Sequence, residues 1–393
     1  MSTIAIETLT PVHIGSGETL HFGTDFVRGE HQGQQVLSIV DLKKVMELIG
    51  QDNIKDWVGA IEHGETTDEI VRRYSPAATI TDYSKRMILD RSMDETSDML
   101  NTQIHDGFGR PYIPGSSIKG AIRTAIVSTL VDTIEDKEVK IDKTKRDARR
   151  NPISDRNGKI RYKANAQSIE AELFGYNPKF NYVDPNKDVF RFLQVGDACF
   201  GEIMEMAIRM VNINEREKHS FWDETKSQLI ESIPAKKQTE IQLKLNETGY
   251  AFSKKRVNKL PDCMSSIAKM FEAINAHTKR VLQAELDYWE KFERRDCSKM
   301  VTKYLNRIDE MLNETQQCKP SQECILRIGY GSGWSFITGS WTKELNNFKD
   351  LVVRASRPNY NKYEKYDFPK TRRVDDRCEL LGFVKLSIKE ETI

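Results

Sequence analysis

The sequence predicts an α+β protein in which helices and strands do not alternate regularly. Short segments with period-two apolar patterning lie near both ends of the chain, at Ile4 and Ile6 and again around 381–388. In between, residues 261–313 carry apolar side chains at helical spacing. No strict repeat with a period of roughly 20 to 50 residues is present, which argues against a solenoid or propeller.

Length and composition favour a globular protein with two domains. The chain has 393 residues, of which 38% are hydrophobic and 30% charged, and its formal net charge is +1. The N-terminus MSTIAIETLT lacks a signal-peptide pattern and no apolar run could span a bilayer, so we expect a cytoplasmic protein without a membrane partner. Six scattered cysteines without a CxxC pair, and no histidines clustered with them, predict no disulfide framework and no structural zinc site. We expect no metal and no other cofactor.

The two predicted domains span residues 1–200 and 201–393. The first contains an insertion near 136–166 that is dense in Lys, Arg and Asp and is expected to be exposed or mobile. The second contains the helical block 261–313 and a glycine-rich loop at 329–333.

Local signals place the elements in order along the chain. A strand at 35–40 leads into a short helix that Asp41 caps and Gly50 ends, and residues 52–73 are predicted to be helical. Residues 79–89 favour a strand. Further strands are predicted at 190–198, 201–212, 241–245 and 325–328.

A helix predicted from Ser116 begins with an unusual charge pattern. Ser116 or Ser117 is expected to cap it, and apolar side chains recur at 118, 122, 126, 130 and 134. Lys119 and Arg123 lie near its start, where the helix dipole disfavours cations. Free N–H groups, hydroxyls and cations together indicate a phosphate site. Two solvated surface cations are the alternative.

Three glycine-rich loops are candidates for approach to an anion. The first glycine loop is HIGSG at 13–17, the second is PGSSIKG at 114–120, and the third is GYGSG at 329–333. Glycine allows close approach and positive φ, so that N–H groups can converge on a phosphate. None of the three matches a nucleotide-binding signature, and simple turns are the alternative.

A basic and aromatic stretch follows the third glycine loop. Cations interleaved with tyrosines between 354 and 373 suit single-stranded RNA, and Arg327 directly precedes the loop. A solvated loop with packed tyrosines is equally compatible with this pattern, and the RNP pattern of a standard RRM is absent.

Catalytic candidates are few. His13 could act as a general base or bind a phosphate, and Asp25 could position a 2′-hydroxyl or a metal for RNA cleavage. A structural histidine and a turn-capping aspartate are the alternatives.

Several motifs together resemble the RAMP superfamily of CRISPR proteins. They are TPVHIGSG at 10–17, YIPGSSIKGAIRTAI at 112–126, LFG at 173–175, FRFLQVGD at 190–197 and RIGYGSGW at 327–334. DFPKTRRV at 367–374 and LGFVKL at 381–386 are similar to the fifth-subunit family of type III-A Csm complexes. The resemblance covers both ends and the middle of the chain.

This resemblance implies two ferredoxin-like (RRM-like) modules with helical and loop insertions. It implies a non-catalytic RNA-binding subunit that caps the 3′ end of the CRISPR RNA and supports its maturation in antiviral defence. The implied partners are CRISPR RNA, target RNA, the backbone RAMP and small subunits of the Csm complex, and host nucleases.

The loops, the cations and the resemblance together predict a set of RNA-binding residues. These residues are expected to contact phosphate and 2′-hydroxyl groups rather than bases. They are His13, Gly15, Ser16, Gly17, Arg110, Ser116, Ser117, Lys119, Arg123, Arg327, Gly331, Gly333, Lys370, Arg372 and Arg373.

Two other functions remain open from the sequence. One is a RAMP endoribonuclease that acts on CRISPR or target RNA through Asp25 or His13, since the related backbone subunit uses an Asp after its first glycine turn. The context of Asp25, GTDF, departs from that pattern. The other is an assembly scaffold whose cations bind acidic protein partners.

Overall fold

The computed structural model describes residues 2–93, 96–134, 188–214, 222–255, 260–291, 299–336, 340–350 and 371–389, with short pieces between 138 and 174. Most of the charged insertion at 136–166, the basic and aromatic stretch at 354–370, and with it Lys370, lie outside the described residues.

The described residues form two main sheets and seven α-helices. The strands are β1 (Ser2–Thr8), β2 (Gly15–His21), β3 (Phe26–His31), β4 (Gln34–Val40), β5 (Ser84–Asp90), β6 (Met99–Gln103), β7 (Tyr112–Ile113), β8 (Lys140–Asp142), β9 (Lys163–Asn165), β10 (Leu193–Val195), β11 (Ala198–Cys199), β12 (Met206–Asn214), β13 (Trp222–Ser232), β14 (Gln238–Leu245), β15 (Glu323–Arg327), β16 (Thr371–Asp375) and β17 (Phe383–Ile388). The helices are α1 (Leu42–Ile49), α2 (Ile54–Glu62), α3 (Thr67–Tyr74), α4 (Gly115–Leu130), α5 (Glu247–Lys254), α6 (Ile267–Lys291) and α7 (Lys299–Gln317).

The five-stranded sheet joins the two ends of the chain. Its order is β10-β14-β1-β17-β15, and each neighbouring pair is antiparallel. Ile4 on β1 lies opposite Ile241 on β14 and Ile388 on β17. Its apolar face packs against α4 and α6 in one core, in which Ile4 and Ile118 are fully buried. Hydrophobic burial therefore holds the terminal strands together.

The larger sheet has eight strands in the order β2-β6-β13-β12-β5-β4-β3, with β16 also paired to β12. Helices α1 and α3 pack beside β4 through residues that include Val45 and Val71. Helices α6 and α7 form a second core with β12 and β16, around Trp289 and Leu305. This core fixes strand β16 next to β12, in the middle of the larger sheet.

The predicted α+β class is confirmed, and several elements follow the local signals. The Asp41 carboxylate accepts hydrogen bonds from the N–H groups of Lys43 and Lys44, and Gly50 ends α1 with φ 82°. The helical block contains α6 and α7. The segment predicted at 52–73 divides into α2 and α3 because Thr66 forms a capping box at the start of α3.

The five-stranded sheet takes β1 and β10 from residues 1–200 and its other three strands from 201–393. One sheet thus contains strands from both predicted domains, and the domain boundary at residue 200 stays a prediction. No helix in the described part of the chain is long and apolar enough to cross a bilayer.

Candidate nucleic-acid interface

The first and third glycine loops lie in direct contact. The N–H of Tyr330 donates to the carbonyl oxygen of His13 at 2.9 Å. Gly329 has φ 80°, and a Cβ atom there would lie 2.5 Å from the same oxygen. Glycine is required at this position because the two loops approach closer than a side chain allows.

The outer side of this contact presents an aromatic ring and a cation. Tyr330 is 42% exposed, and the guanidinium carbon of Arg373 lies 4.5 Å from its ring centroid. The Tyr330 hydroxyl donates to Gln228 Oε1 at 2.9 Å, which fixes the ring. We call Gly15–Gly17, Tyr330 and Arg373 the loop surface. Tyr330 was not among the residues predicted from the sequence. Its place between two glycines of the third loop, together with the two arginines later in the chain, could have indicated it.

The second glycine loop is tied to the first through one buried amide. Gln103 Oε1 accepts from the N–H of Ile14 at 2.8 Å, and its Nε2 donates to the carbonyl of Tyr112 at 3.1 Å. Tyr112 lies on β7, which leads directly into α4. The three predicted loops therefore belong to one connected structure.

The start of α4 differs from the prediction. Neither Ser116 nor Ser117 caps the helix. Asp197 Oδ1 instead accepts from the N–H of Gly115 at 2.7 Å, so a carboxylate of the chain itself takes the position expected for a phosphate. A Cβ at Gly115 would lie 2.2 Å from the carbonyl oxygen of Val195. Asp197 is the last residue of the motif FRFLQVGD, but no local pattern linked it to a helix that starts 82 residues earlier.

The two cations of α4 also contact protein groups. Lys119 Nζ donates to the carbonyl of Leu193 at 2.7 Å. Arg123 pairs with Glu170 at 2.6 Å and with Asp188 at 2.7 Å. These carboxylates explain why the helix tolerates a cation in its N-terminal half, and they correct the expectation of cations free to bind phosphate.

Arg327 and Arg372 are buried and therefore differ from the expected phosphate ligands. Arg327 is 7% exposed, its Nε donates to the carbonyl of Leu381 at 2.8 Å, and burial lowers its pKa to about 10. Arg372 is 6% exposed and binds both carboxylate oxygens of Glu285, at 2.6 and 3.0 Å. Both arginines therefore lie in the core, where their side chains contact other groups of the protein.

The remaining expected residues lie at the surface or within the third loop. Arg110 forms an ion pair with Asp106 at 2.8 Å and lies over Phe108 at 4.9 Å. Gly331 has φ 94°, and a Cβ there would lie 3.0 Å from a Leu381 methyl carbon. Gly333 has φ 78° with open space around it.

His13 supports the first glycine loop from below. It is 3% exposed, and its Nδ1 lies 2.5 Å from the carbonyl oxygen of Glu231, so Nδ1 is the donor. Burial lowers the pKa of His13 to about 4, which keeps the ring neutral at pH 7. A general base works best with a pKa near the working pH, so these properties suit a structural histidine.

Asp25 lies at the other end of β2 from the first glycine loop. Its Oδ2 accepts from the N–H of His21 at 2.9 Å, closing the turn between β2 and β3. Four residues of β2, 18–21, lie between the last glycine of the loop and this turn, which corresponds to roughly 13 Å of extended chain. Asp25 therefore lies at the opposite end of β2 from the contact between the two loops, with its carboxylate engaged in a turn.

We expect acid to destabilise the wild-type protein more than a His13→Gln variant. The unfolded histidine titrates near 6.5 and the folded one near 4, so the unfolded chain binds more protons between these values. The stabilisation of the folded state that comes from the lowered pKa of His13 is complete above pH 6.5 and is lost as the pH falls towards 4. The stability gap between the two proteins should narrow by up to about 2.5 kcal/mol from pH 6.5 to 4.5. Urea unfolding at several pH values measures it, and parallel curves would contradict it.

Asp197→Ala is expected to lower the free energy of unfolding by about 1–2 kcal/mol, because the N–H of Gly115 loses its acceptor. Asp197→Asn keeps an oxygen acceptor and should lose less. Urea denaturation of the three proteins tests this, and a wild-type midpoint for Asp197→Ala would show that the cap contributes nothing.

Comparisons with known proteins agree with the motif-based resemblance. The family model of the RAMP superfamily matches residues 5–335. A 30-residue segment is 63% identical to the CRISPR system Cms protein Csm5 of Streptococcus thermophilus, covering 8% of this chain and 8% of that protein.

Two solved structures share the fold along nearly the whole chain. A chain of the cryo-EM structure of a Csm-crRNA-target RNA ternary complex in a type III-A CRISPR-Cas system aligns with a TM-score of 0.64 and 17% identity, covering 98% of this chain and 100% of that one. The crystal structure of T. onnurineus Csm5 aligns with a TM-score of 0.63 and 18% identity, covering 97% and 99%.

Proposed function

This chain belongs to the RAMP superfamily, and from that premise we propose that it is a non-catalytic RNA-binding subunit of a type III-A Csm effector complex. In this proposal it caps the 3′ end of the CRISPR RNA and supports maturation of that end. The observation that carries the proposal is the contact between the first and third glycine loops, which presents Tyr330 beside Arg373.

The chemistry of the loop surface suits RNA of any sequence. Glycine loops let a phosphate backbone approach their N–H groups closely. The hydroxyl of Ser16 bonds with Thr102 Oγ1 at 2.5 Å and accepts from the N–H of Glu18 at 3.0 Å, which fixes the loop. Arg373 lies over the Tyr330 ring at 4.5 Å, and this flat cationic pair offers a surface on which any base can stack. A subunit that holds a guide RNA needs this tolerance because the spacer sequence varies.

The proposed partners are CRISPR RNA, target RNA and other Csm subunits, with host nucleases that trim the guide. One related structure is a Csm complex with crRNA and target RNA, and the other is Csm5. A net charge of +1 over 393 residues suits a subunit with one local RNA surface and otherwise neutral faces for protein neighbours.

The positions of His13 and Asp25 support a non-catalytic role. His13 is buried and neutral beneath the loop surface, and Asp25 closes a turn at the far end of β2. Neither candidate joins a group of catalytic side chains on the loop surface in the described part of the chain.

The test is assembly of the Csm complex with the wild-type subunit, without it, and with the Tyr330→Ala/Arg373→Gln variant. We expect guide RNAs with defined mature 3′ ends from the wild-type complex, and lower yield or heterogeneous 3′ ends from the other two. Asp25→Asn is the matched control and should behave as wild type. Unchanged 3′ ends without the subunit would overturn the capping role, and RNA cleavage lost in Asp25→Asn would favour the endoribonuclease.

A further inference from the structure

A cleft of about 310 Å³ opens beside the hairpin that follows β6. Its lining includes Arg86, Phe108, Arg110, Glu202 and Glu205. The lining contains both arginines and glutamates, whereas a phosphate-binding groove would be mainly positive. The cleft therefore suits a ligand other than a phosphate.

Three potential metal ligands converge next to this cleft. His105 follows β6, Glu205 precedes β12, and Glu231 lies on β13. One donor atom from each lies within 4.8 Å of the others, and His105 Nε2 is 2.8 Å from Glu205 Oε2. Donors at about 2.0–2.2 Å from one ion are separated by at most roughly 4.4 Å, so small side-chain adjustments would bring all three onto one cation.

Both carboxylates of this cluster are buried and lie close to the same guanidinium. Glu205 is 4% exposed and Glu231 is fully buried. Arg86 binds both oxygens of Glu231 but approaches Glu205 only to 3.7 Å. The two buried carboxylates therefore share the Arg86 guanidinium, and a cation between them would add counter-charge.

One oxygen of the cluster is also left without a hydrogen bond. Glu205 Oε1 is buried and has no hydrogen-bond partner, although Glu205 lines the cleft. Buried carboxylate oxygens in folded proteins are normally satisfied by a donor or a cation. This oxygen is a second observation beside the convergence of the three side chains, and a cation that enters from the cleft would satisfy it.

We propose that His105, Glu205 and Glu231 bind a divalent transition-metal cation such as Mn²⁺ or Zn²⁺, which enters through the cleft. One imidazole nitrogen and two carboxylates suit these ions. A carboxylate has about four lone-pair sites, so Glu231 can bind the ion while it keeps Arg86 and the N–H of Gln103, which donates to it at 3.0 Å.

The site is structurally linked to the loop surface. The carbonyl of Glu231 accepts from His13, which in turn carries the first glycine loop. The bound cation would therefore stabilise the base of that loop, and this inference goes beyond the proposed RNA-binding function without depending on it.

The experiment uses the full chain, stripped of metal with EDTA and dialysed. Mn²⁺ is titrated alone and free Mn²⁺ is followed by EPR, and Zn²⁺ content is measured after gel filtration. We expect one ion per wild-type chain and at least tenfold weaker binding in Glu205→Gln and His105→Ala. Glu202→Gln, which lines the same cleft outside the cluster, should bind as wild type.

Absence of saturable uptake by the wild-type chain would overturn the site, as would unchanged affinity in Glu205→Gln. Circular dichroism checks that each variant is folded. A measurement on the wild type alone avoids that requirement: ESEEM of bound Mn²⁺ should show coupling to an imidazole nitrogen, and its absence would contradict ligation by His105.

Discussion

Replacement of Arg372 by alanine is expected to lower the free energy of unfolding by about 3–5 kcal/mol, because it leaves a buried carboxylate without its counter-charge. Arg372 and Glu285 are 6% and 8% exposed and form a two-point ion pair. Glu285 also accepts from Trp289 Nε1 at 2.8 Å and from the Tyr304 hydroxyl at 3.1 Å. Burial opposes ionisation of Glu285, yet Arg372 and these hydrogen bonds hold its pKa below the usual value.

Urea unfolding followed by tryptophan fluorescence measures this effect. Glu285→Gln should also destabilise, since it removes the carboxylate that neutralises the buried guanidinium of Arg372. Arg373→Ala is the matched control: its side chain lies over Tyr330 at the surface, so its stability should stay within about 1 kcal/mol of wild type. If Arg372→Ala kept wild-type stability and lost RNA affinity, Arg372 would be an RNA ligand, as its sequence context first suggested.

The second large effect is expected on RNA affinity. The Tyr330→Ala/Arg373→Gln variant should bind single-stranded guide RNA about ten- to a hundredfold more weakly, because it loses one stacking surface and one cation. The salt dependence should change too, since loss of one phosphate contact reduces the slope of log affinity against log salt by about 0.7.

Fluorescence anisotropy at several salt concentrations measures both quantities. Tyr330→Phe keeps the ring and should retain most of the affinity. Arg72→Gln removes an exposed cation on α3, whose side chain is 69% exposed, and should bind as wild type. Equal affinities for wild type and the double variant would place the RNA elsewhere.

Local signals predicted part of the local structure. The strand predicted at 190–198 is instead a 3-10 turn at Val189–Phe192 followed by the short strand β10. Asp41 and Gly50 bound α1 as expected, and the apolar residues at 118, 122 and 126 are buried. Strand β2 was missed because all but one of the residues of GSGETLH are exposed, which leaves no alternation to read.

The roles of the arginines were harder to predict than the elements that carry them. A guanidinium binds a carboxylate and a phosphate through the same planar geometry. Arg123 meets Asp188, and Arg372 meets Glu285, at sequence separations of 65 and 87 residues. No local pattern reports such partners, so a buried ion pair and an RNA ligand look alike until the fold is known. The cluster of His105, Glu205 and Glu231 was invisible for the same reason.

The most direct test of the loop surface as the RNA-binding site is ultraviolet crosslinking of the assembled complex, followed by mass spectrometry of the crosslinked peptides. We predict RNA adducts on Tyr330 and on the peptide that contains Gly15–Gly17. Adducts confined to other parts of the chain, such as α1–α3, with none on these two loops, would contradict it.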